Sequence, residues 1–254
     1  MTELKLVPAR RRDSAAWLEY FRTNNEELLE LPWDAGAELS GADKQAIAAS
    51  VQIFQLGERS EGKHLSRSAK LYAQRTGDHA YYEAMVLFIK EEQRHARDLA
   101  RFMELNGIPV IKKTPTDSVF RWLRHLADLE MSVAVLVCAE IIAQVYYPAL
   151  KEATRSQVLR RLCDQIIADE DDHVAFQSQR LAILRRRRPR WVIALVHACY
   201  RAFFWVTAGV VWLGHAPVFR AAGMRPRDFR ESCRDRLEAA LRYMDPRHPE
   251  AAGA

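Results

Sequence analysis

The stretch that decides the fold is EEQRH, residues Glu91 to His95, and a second stretch, DEDDH at Asp169 to His173, repeats its pattern. Both contain an acid, then a glutamate, then a histidine three positions after the glutamate. Two lone glutamates, Glu61 and Glu140, lie 31 and 30 residues upstream of the glutamates of the two motifs. The matched spacing indicates an internal repeat of two helix pairs.

Side chains three positions apart project from one face of a helix. Two helices with Glu-x-x-His, together with a single Glu from each of two others, supply the ligand set of a dimetal site in a four-helix bundle. Apolar neighbours one turn away, such as Phe88 and Ile166, indicate that the acids follow the buried stripe, where carboxylates need cations. The predicted metal ligands are Glu61, Glu92, His95, Glu140, Glu170 and His173.

Composition and pattern both favour helices. The chain of 254 residues has only 10 Gly and 10 Pro, and no segment alternates polar and apolar residues as a strand does. The sequence therefore predicts an all-α fold with a bundle core at about residues 43–186 and additional packing helices at 190–244. We expect one domain over residues 1–254.

Capping residues and breakers predict the first helix pair. Asp13 is expected to cap a short helix, and Ser40 a long helix that runs to Gln74. Gly77 then forms the turn, and the next helix runs from Asp78 to the Asn106-Gly107 pair.

The second pair is expected to follow a Pro-containing crossover linker at residues 108–116. Asp117 is predicted to open a third helix through Glu140, which Pro148 must kink or end. Ser156 is predicted to open a fourth helix that reaches the arginine run at 185–188.

Cysteines and charge limit the possible classes. Cys138, Cys163, Cys199 and Cys233 form no Cys-x-x-Cys pair, which argues against zinc knuckles, rubredoxin-type sites and a disulfide framework. The N-terminus lacks the apolar core of a secretory signal, so we expect a cytoplasmic protein. The net charge is +5, and the arginine run can meet an acidic carrier protein or anionic lipid, or be a solvated corner. A nucleic-acid partner is disfavoured, since no aromatic-basic platform accompanies the run.

The segment from Trp191 to Leu213 is the second informative feature. Its 23 residues can cross a bilayer, but Arg201 near the middle costs about 2.5–3.5 kcal/mol on insertion scales. His197 and Arg201 form a narrow polar stripe, so we favour a helix packed on the bundle with that stripe toward solvent or a carboxylate. Peripheral membrane contact and a true span are the alternatives. A turn at 214–217 and a last helix from Pro226 to Met244 should follow.

The two motifs resemble those of the ferritin-like di-iron carboxylate superfamily, and the resemblance covers about residues 43–180. Similar forms occur in bacterial multicomponent monooxygenases and in the small subunit of class I ribonucleotide reductase. The resemblance implies two iron ions, or a manganese/iron pair, and reaction with O2. It also implies that Asp169 and Glu91 support the metal-bound histidines. Gly57-Glu58 resembles rubrerythrin and the hydroxylases of ubiquinone biosynthesis, so Glu58 is a reserve ligand beside Glu61.

The expected function is that of a di-iron oxygenase or oxidase that hydroxylates, desaturates or N-oxygenates a small organic or carrier-bound substrate. No flavin, nicotinamide or iron–sulfur motif is present, so electrons must come from an external reductase or ferredoxin. The alternatives are a quinone hydroxylase at the membrane surface and a ferroxidase or iron-binding protein. A homodimer is the expected assembly.

Overall fold

The computed structural model describes residues 12–59, 62–114 and 128–247. These ranges contain helices and no strand, which confirms the predicted all-α class. A short 3-10 turn lies at Trp33–Ala35. The α-helices are α1 (Ser14–Glu26), α2 (Gly41–Glu58), α3 (Lys63–Thr76), α4 (His79–Leu105), α5 (Leu129–Glu152), α6 (Gln157–Arg185), α7 (Arg190–Ala221) and α8 (Pro226–Met244).

The helices form a bundle around one apolar core. Helix α4 packs against α2 and α3, α6 packs against α5 and α4, and α1 covers α4. Helix α7 lies across α2 and α5, while α8 packs against α5 and α6. Two hairpins, one made by α2, α3 and α4 and the other by α5 and α6, therefore face each other across the core.

Several predicted helix ends are confirmed. Asp13, Asp78 and Ser156 each accept a hydrogen bond from the backbone N–H three residues later, as N-caps do. Gly77 has a φ of 80° and ends α3, which places the hairpin turn where the sequence predicts it. The last helix also begins at Pro226 and ends at Met244.

The single helix predicted from Ser40 to Gln74 is wrong, because α2 ends at Glu58 and α3 begins at Lys63. Gly62 precedes α3 in a left-handed conformation, with a φ of 61°. A Cβ atom at this position would lie 2.5 Å from Cγ2 of Ile89 on α4. The missing side chain thus permits both the backbone conformation and the close approach of the two helices.

The third helix also differs from its prediction. Asp128, in extended conformation, caps a helix that begins at Leu129, so one continuous helix from Asp117 to Glu140 is wrong. Asp117 itself lies outside the described residues. Pro148 does not end this helix, which continues to Glu152. One missing N–H and the ring clash cost about 3 kcal/mol, which the burial of neighbouring side chains such as Tyr147 offsets.

The predicted turn at 214–217 is likewise absent, since α7 continues through it to Ala221 with Pro217 inside the helix. His215, Val218 and Phe219 are all buried there. Their packing keeps this segment helical despite the Gly and Pro that predict a turn.

Two helices within the described residues are long and apolar enough to cross a membrane, but they differ in burial. For α5, 83% of its most apolar 18-residue segment is buried inside the protein, as in the core helix of a bundle. For α7 the buried share is only 33%. The apolar character of α5 is therefore explained by the core, and that of α7 is not.

Gly62→Ala is expected to lower the free energy of unfolding by about 2–4 kcal/mol, because it combines left-handed strain with the contact against Ile89. Gly57→Ala is the matched control, since Gly57 is helical and its added Cβ meets nothing within 4 Å. That control should be neutral or stabilising by up to about 1 kcal/mol. Urea denaturation measures both, and equal stabilities would contradict the assigned role of Gly62.

Candidate metal centre

Three helices direct acidic or imidazole side chains to one place in the bundle. Helix α4 contributes Glu92 and His95, α6 contributes Glu170, and the last turn of α2 contributes Glu58. Each of these residues offers one ligand atom, and the four atoms lie within 4.8 Å of one another. This group of Glu and His side chains can therefore bind a metal ion.

The other two predicted ligands lie at the same place. His173 Nδ1 is 3.0 Å from Glu92 Oε1, and Glu140 lines the same cavity as Glu58, Glu92 and Glu170. Five predicted ligands thus come together: Glu92, His95, Glu140, Glu170 and His173. Glu61 lies outside the described residues, and Glu58 holds the position at the end of α2.

Each histidine of the cluster is held by the acid of the opposite motif. His95 Nε2 donates to Asp169 Oδ2 over 2.8 Å, and His173 Nε2 donates to Glu91 Oε2 over 2.9 Å. These are the contacts that the resemblance implies for the two acids, and they relate the two hairpins by an approximate twofold repeat. An acid on Nε2 leaves the lone pair of the neutral ring on Nδ1, where a metal ion binds.

Unsatisfied polar atoms give an independent test of the fit to a metal. Nδ1 of His95 and Nδ1 of His173 are buried without a well-aligned hydrogen bond among the described residues, and Nδ1 of His173 has only the Glu92 carboxylate beside it, at 3.0 Å. Both carboxylate oxygens of Glu140 and Oε2 of Glu170 are also buried and have no hydrogen-bond partner among the described residues. Buried polar atoms elsewhere, such as those of Gln177 and Ser178, are also unpaired, but among the described residues Glu and His ligand atoms converge at this cluster, and that donor set fits first-row metal ions.

The pKa values of the buried acids indicate that the cluster lacks compensating positive charge. Burial raises the pKa of Glu140 to about 8 and raises the pKa values of Glu58 and Glu170 well above their usual range. Burial also opposes protonation of His173, yet its contacts with Glu91 and Glu92 raise its pKa well above the ordinary value. The site therefore attracts positive charge, which protons or metal ions supply.

Residues from outside the motifs orient the supporting acids, and sequence reasoning missed them. The Asn24 side-chain amide at the end of α1 donates to Glu91 Oε1 over 2.8 Å and to Asp169 Oδ1 over 2.9 Å, so it bridges both acids. Gln165 also donates to Asp169. Nothing in the sequence singles out Asn24, because its contact depends on how α1 crosses the bundle. Arg94, which donates to Asp169 over 2.6 Å, does lie within the EEQRH motif.

Tyr147 fixes the carboxylate that α2 contributes. Its hydroxyl donates to Glu58 Oε1 over 2.5 Å, and both side chains are buried. On the same face of α5, Gln144 donates to Asp171 Oδ1 over 2.8 Å. Glu58 is thus held in place by a residue two turns beyond Glu140.

An apolar cavity of about 170 Å³ opens onto the carboxylates. Its floor contains Glu58, Glu92, Glu140 and Glu170. Its walls come from α2, α5, α7 and Thr114 of the segment after α4, and apart from two threonines and a histidine the side chains are apolar. These wall residues are Ile53, Phe54, Gly57, Thr114, Val135, Leu136, Ala139, Ile142, Ala143, Thr207, Val211 and His215.

Comparisons of the chain with protein-family models, with curated proteins and with solved structures give no significant match.

Glu140→Gln should separate a metal ligand from a structural acid. The amide keeps the shape of the side chain, so the melting temperature of the metal-free protein should change little. The roughly 2–3 kcal/mol of stabilisation that metal at about 100 times its Kd gives should be largely lost. Anaerobic thermal melts with and without iron(II) measure this effect.

Glu83→Gln on α4 is the control for this variant, because the Glu83 side chain is 54% exposed. It should keep the full iron-dependent rise in melting temperature. An undiminished rise in Glu140→Gln would remove Glu140 from the ligand set.

Asp169→Asn tests the support of the histidines. The amide weakens the hold on His95 Nε2, and the loss of such a supporting partner typically lowers metal affinity by about 10–100-fold. Asp164→Asn on the same helix, whose wild-type partner Lys151 lies near the surface, should bind metal normally. Competition titration with a chelating dye reports both affinities, and equal values would contradict the supporting role.

Proposed function

We propose that the chain is a ferritin-like di-iron oxygenase, which uses O2 and electrons from an external reductase or ferredoxin to oxidise an apolar organic substrate. The observation that carries the proposal is the apolar cavity whose floor is the carboxylate cluster. A centre that only oxidises or stores iron needs a polar route for ions. An apolar chamber beside the ligands instead suits an organic molecule.

The proposed ligands are Glu58, Glu92, His95, Glu140, Glu170 and His173, with iron preferred and a manganese/iron pair as the variant. Two reduced metal ions held by this set would supply the electrons and coordination positions for O2 reduction. The remaining work belongs to the protein. Asp169 and Glu91 orient the two imidazoles, Tyr147 holds Glu58, and the apolar walls exclude water from the reacting groups.

His215 is proposed as the positioning residue for the substrate. Its Nδ1 lies 2.6 Å from Ser50 Oγ, which also lies 2.8 Å from the Tyr146 hydroxyl. If Tyr146 donates to Ser50 and Ser50 donates to His215 Nδ1, each proton has an acceptor, and the remaining ring proton sits on Nε2. Burial lowers the pKa of His215 to about 4, so the ring is neutral at pH 7.

This tautomer defines a substrate class. His215 lines the cavity, and with this assignment its Nε2–H is the ring donor that remains for a ligand. The proposed substrate is therefore mainly apolar and carries one hydrogen-bond acceptor, such as a carbonyl, ether or hydroxyl oxygen. A lipophilic quinone belongs to this class, and so does an acyl chain delivered by a carrier.

Val211→Trp tests the oxygenase proposal, because Val211 lines the cavity from α7, away from the ligand helices. The larger ring should fill the cavity and reduce product formation at least about tenfold, while two-iron loading and iron(II) oxidation by O2 stay normal. Leu71→Trp is the matched control, since Leu71 is a 50% exposed apolar residue on α3 that does not line the cavity. It should leave turnover unchanged.

The assay supplies ferredoxin and its reductase as the electron source and a panel of apolar compounds, each with one oxygen acceptor. Oxygen uptake and product formation are measured together. Rapid iron(II) oxidation with more than two irons accumulated per chain, and no product from any compound, would contradict the oxygenase proposal and favour a ferroxidase.

A further inference from the structure

One face of α7 is apolar along most of the helix and is not covered by the described part of the chain. Between Trp191 and Gly214, every exposed residue is apolar or glycine. The large ones are Trp191, Leu195, Trp205, Val206, Val210 and Leu213, with exposed fractions from 36% to 77%. We call these six residues the α7 face. An apolar stripe of this length, about 34 Å at 1.5 Å per residue, marks an interaction site rather than ordinary surface.

Two polar side chains of the same segment have partners within the protein. Arg201 forms two hydrogen bonds, of 2.9 and 2.8 Å, with the Glu238 carboxylate of α8. This is the carboxylate partner that the sequence allows for its polar stripe. Thr207 donates to the backbone carbonyl of Phe203. The Arg201 side chain remains 42% exposed, but its charge is paired with Glu238, so the segment from Trp191 to Leu213 carries no unpaired charge.

Arginines flank the α7 face. Arg186, Arg187 and Arg190 are exposed at its start, and Arg220 is exposed at its end. Tryptophan, arginine and aliphatic side chains in this arrangement are typical of helices that lie in the interfacial region of a bilayer.

We propose that the α7 face docks in the plane of a membrane that contains anionic lipids, with the flanking arginines on the lipid headgroups. The opposite side of α7 packs against α2, α5 and α8, so lipid cannot surround the helix as it would a transmembrane span. If α7 lies parallel to the membrane plane, its apolar face contacts lipid while its opposite side stays packed against the protein.

Charge distinguishes a bilayer from a second copy of the chain. If two α7 faces paired in parallel, the cluster of Arg186, Arg187 and Arg190 would meet its own copy. If they paired antiparallel, the same cluster would meet Arg220 of the other chain. Both arrangements bring like charges together. Anionic headgroups neutralise both ends of the face at once.

The location of the face adds a functional consequence, which rests on the proposed function. Thr207, Val211 and His215 of α7 line the cavity over the carboxylates. Val206 and Val210 of the α7 face are their immediate neighbours along the helix. A docked protein would therefore hold the cavity wall next to the bilayer, from which a lipophilic substrate can enter.

The test is co-sedimentation of the full chain with vesicles, either of phosphatidylcholine alone or of equal parts phosphatidylglycerol and phosphatidylcholine. The wild type should bind the anionic vesicles, and binding should weaken as salt rises. Val206→Asp/Leu213→Asp should abolish binding. Arg186→Gln/Arg187→Gln/Arg190→Gln should weaken it on the order of 100-fold, from three lost headgroup contacts.

Leu71→Ser is the control, because Leu71 is a 50% exposed apolar residue on α3, outside the α7 face. It should bind vesicles as the wild type does. Metal content is measured in every variant, so that loss of docking is distinguished from loss of the metal centre.

Two results would overturn the proposal. One is the absence of binding to anionic vesicles by a folded wild type. The other is a concentration-dependent dimer in analytical ultracentrifugation that Val206→Asp/Leu213→Asp dissociates, without vesicle binding, which would assign the face to a second copy.

Discussion

Burial of carboxylates in an apolar bundle is the constraint on which the rest of the structure depends. Glu58, Glu92, Glu140 and Glu170 converge where water cannot solvate their charges, and burial raises the pKa values of three of them. Such a cluster is tolerable only if positive charge enters with it. Two imidazoles, each held through Nε2 with Nδ1 left as a lone-pair donor, add nitrogen atoms with which the cluster can bind a cation.

Much of this arrangement is readable from sequence, because it depends on local periodicity. A Glu and a His three apart share a helix face in any helix, and two repeats at similar spacing imply matched heights in two hairpins. Helix caps at Asp13, Asp78 and Ser156 are equally local and were predictable. The supporting contacts of Asp169 and Glu91 could be anticipated only from the resemblance.

Other features depend on contacts between distant segments. The left-handed Gly62 before α3 is needed because Ile89 of another helix approaches it closely, and Asn24 reaches the site only because α1 crosses α4. Pro148 and Pro217 predict helix ends by local rules, but burial of their neighbours keeps both helices continuous. The repeat spacing favours Glu61, which lies outside the described residues, whereas Glu58 at the end of α2 lies among the Glu and His side chains that could hold a metal ion.

The most direct test of the central claim is elemental analysis after anaerobic iron(II) reconstitution of the wild type and of Glu92→Ala/Glu170→Ala, with Glu83→Gln as the matched control. The account predicts about two irons per chain in the wild type and the control, and loss of bound iron in the double variant. No stoichiometric metal in a folded wild type would contradict it, and so would equal iron content in the double variant.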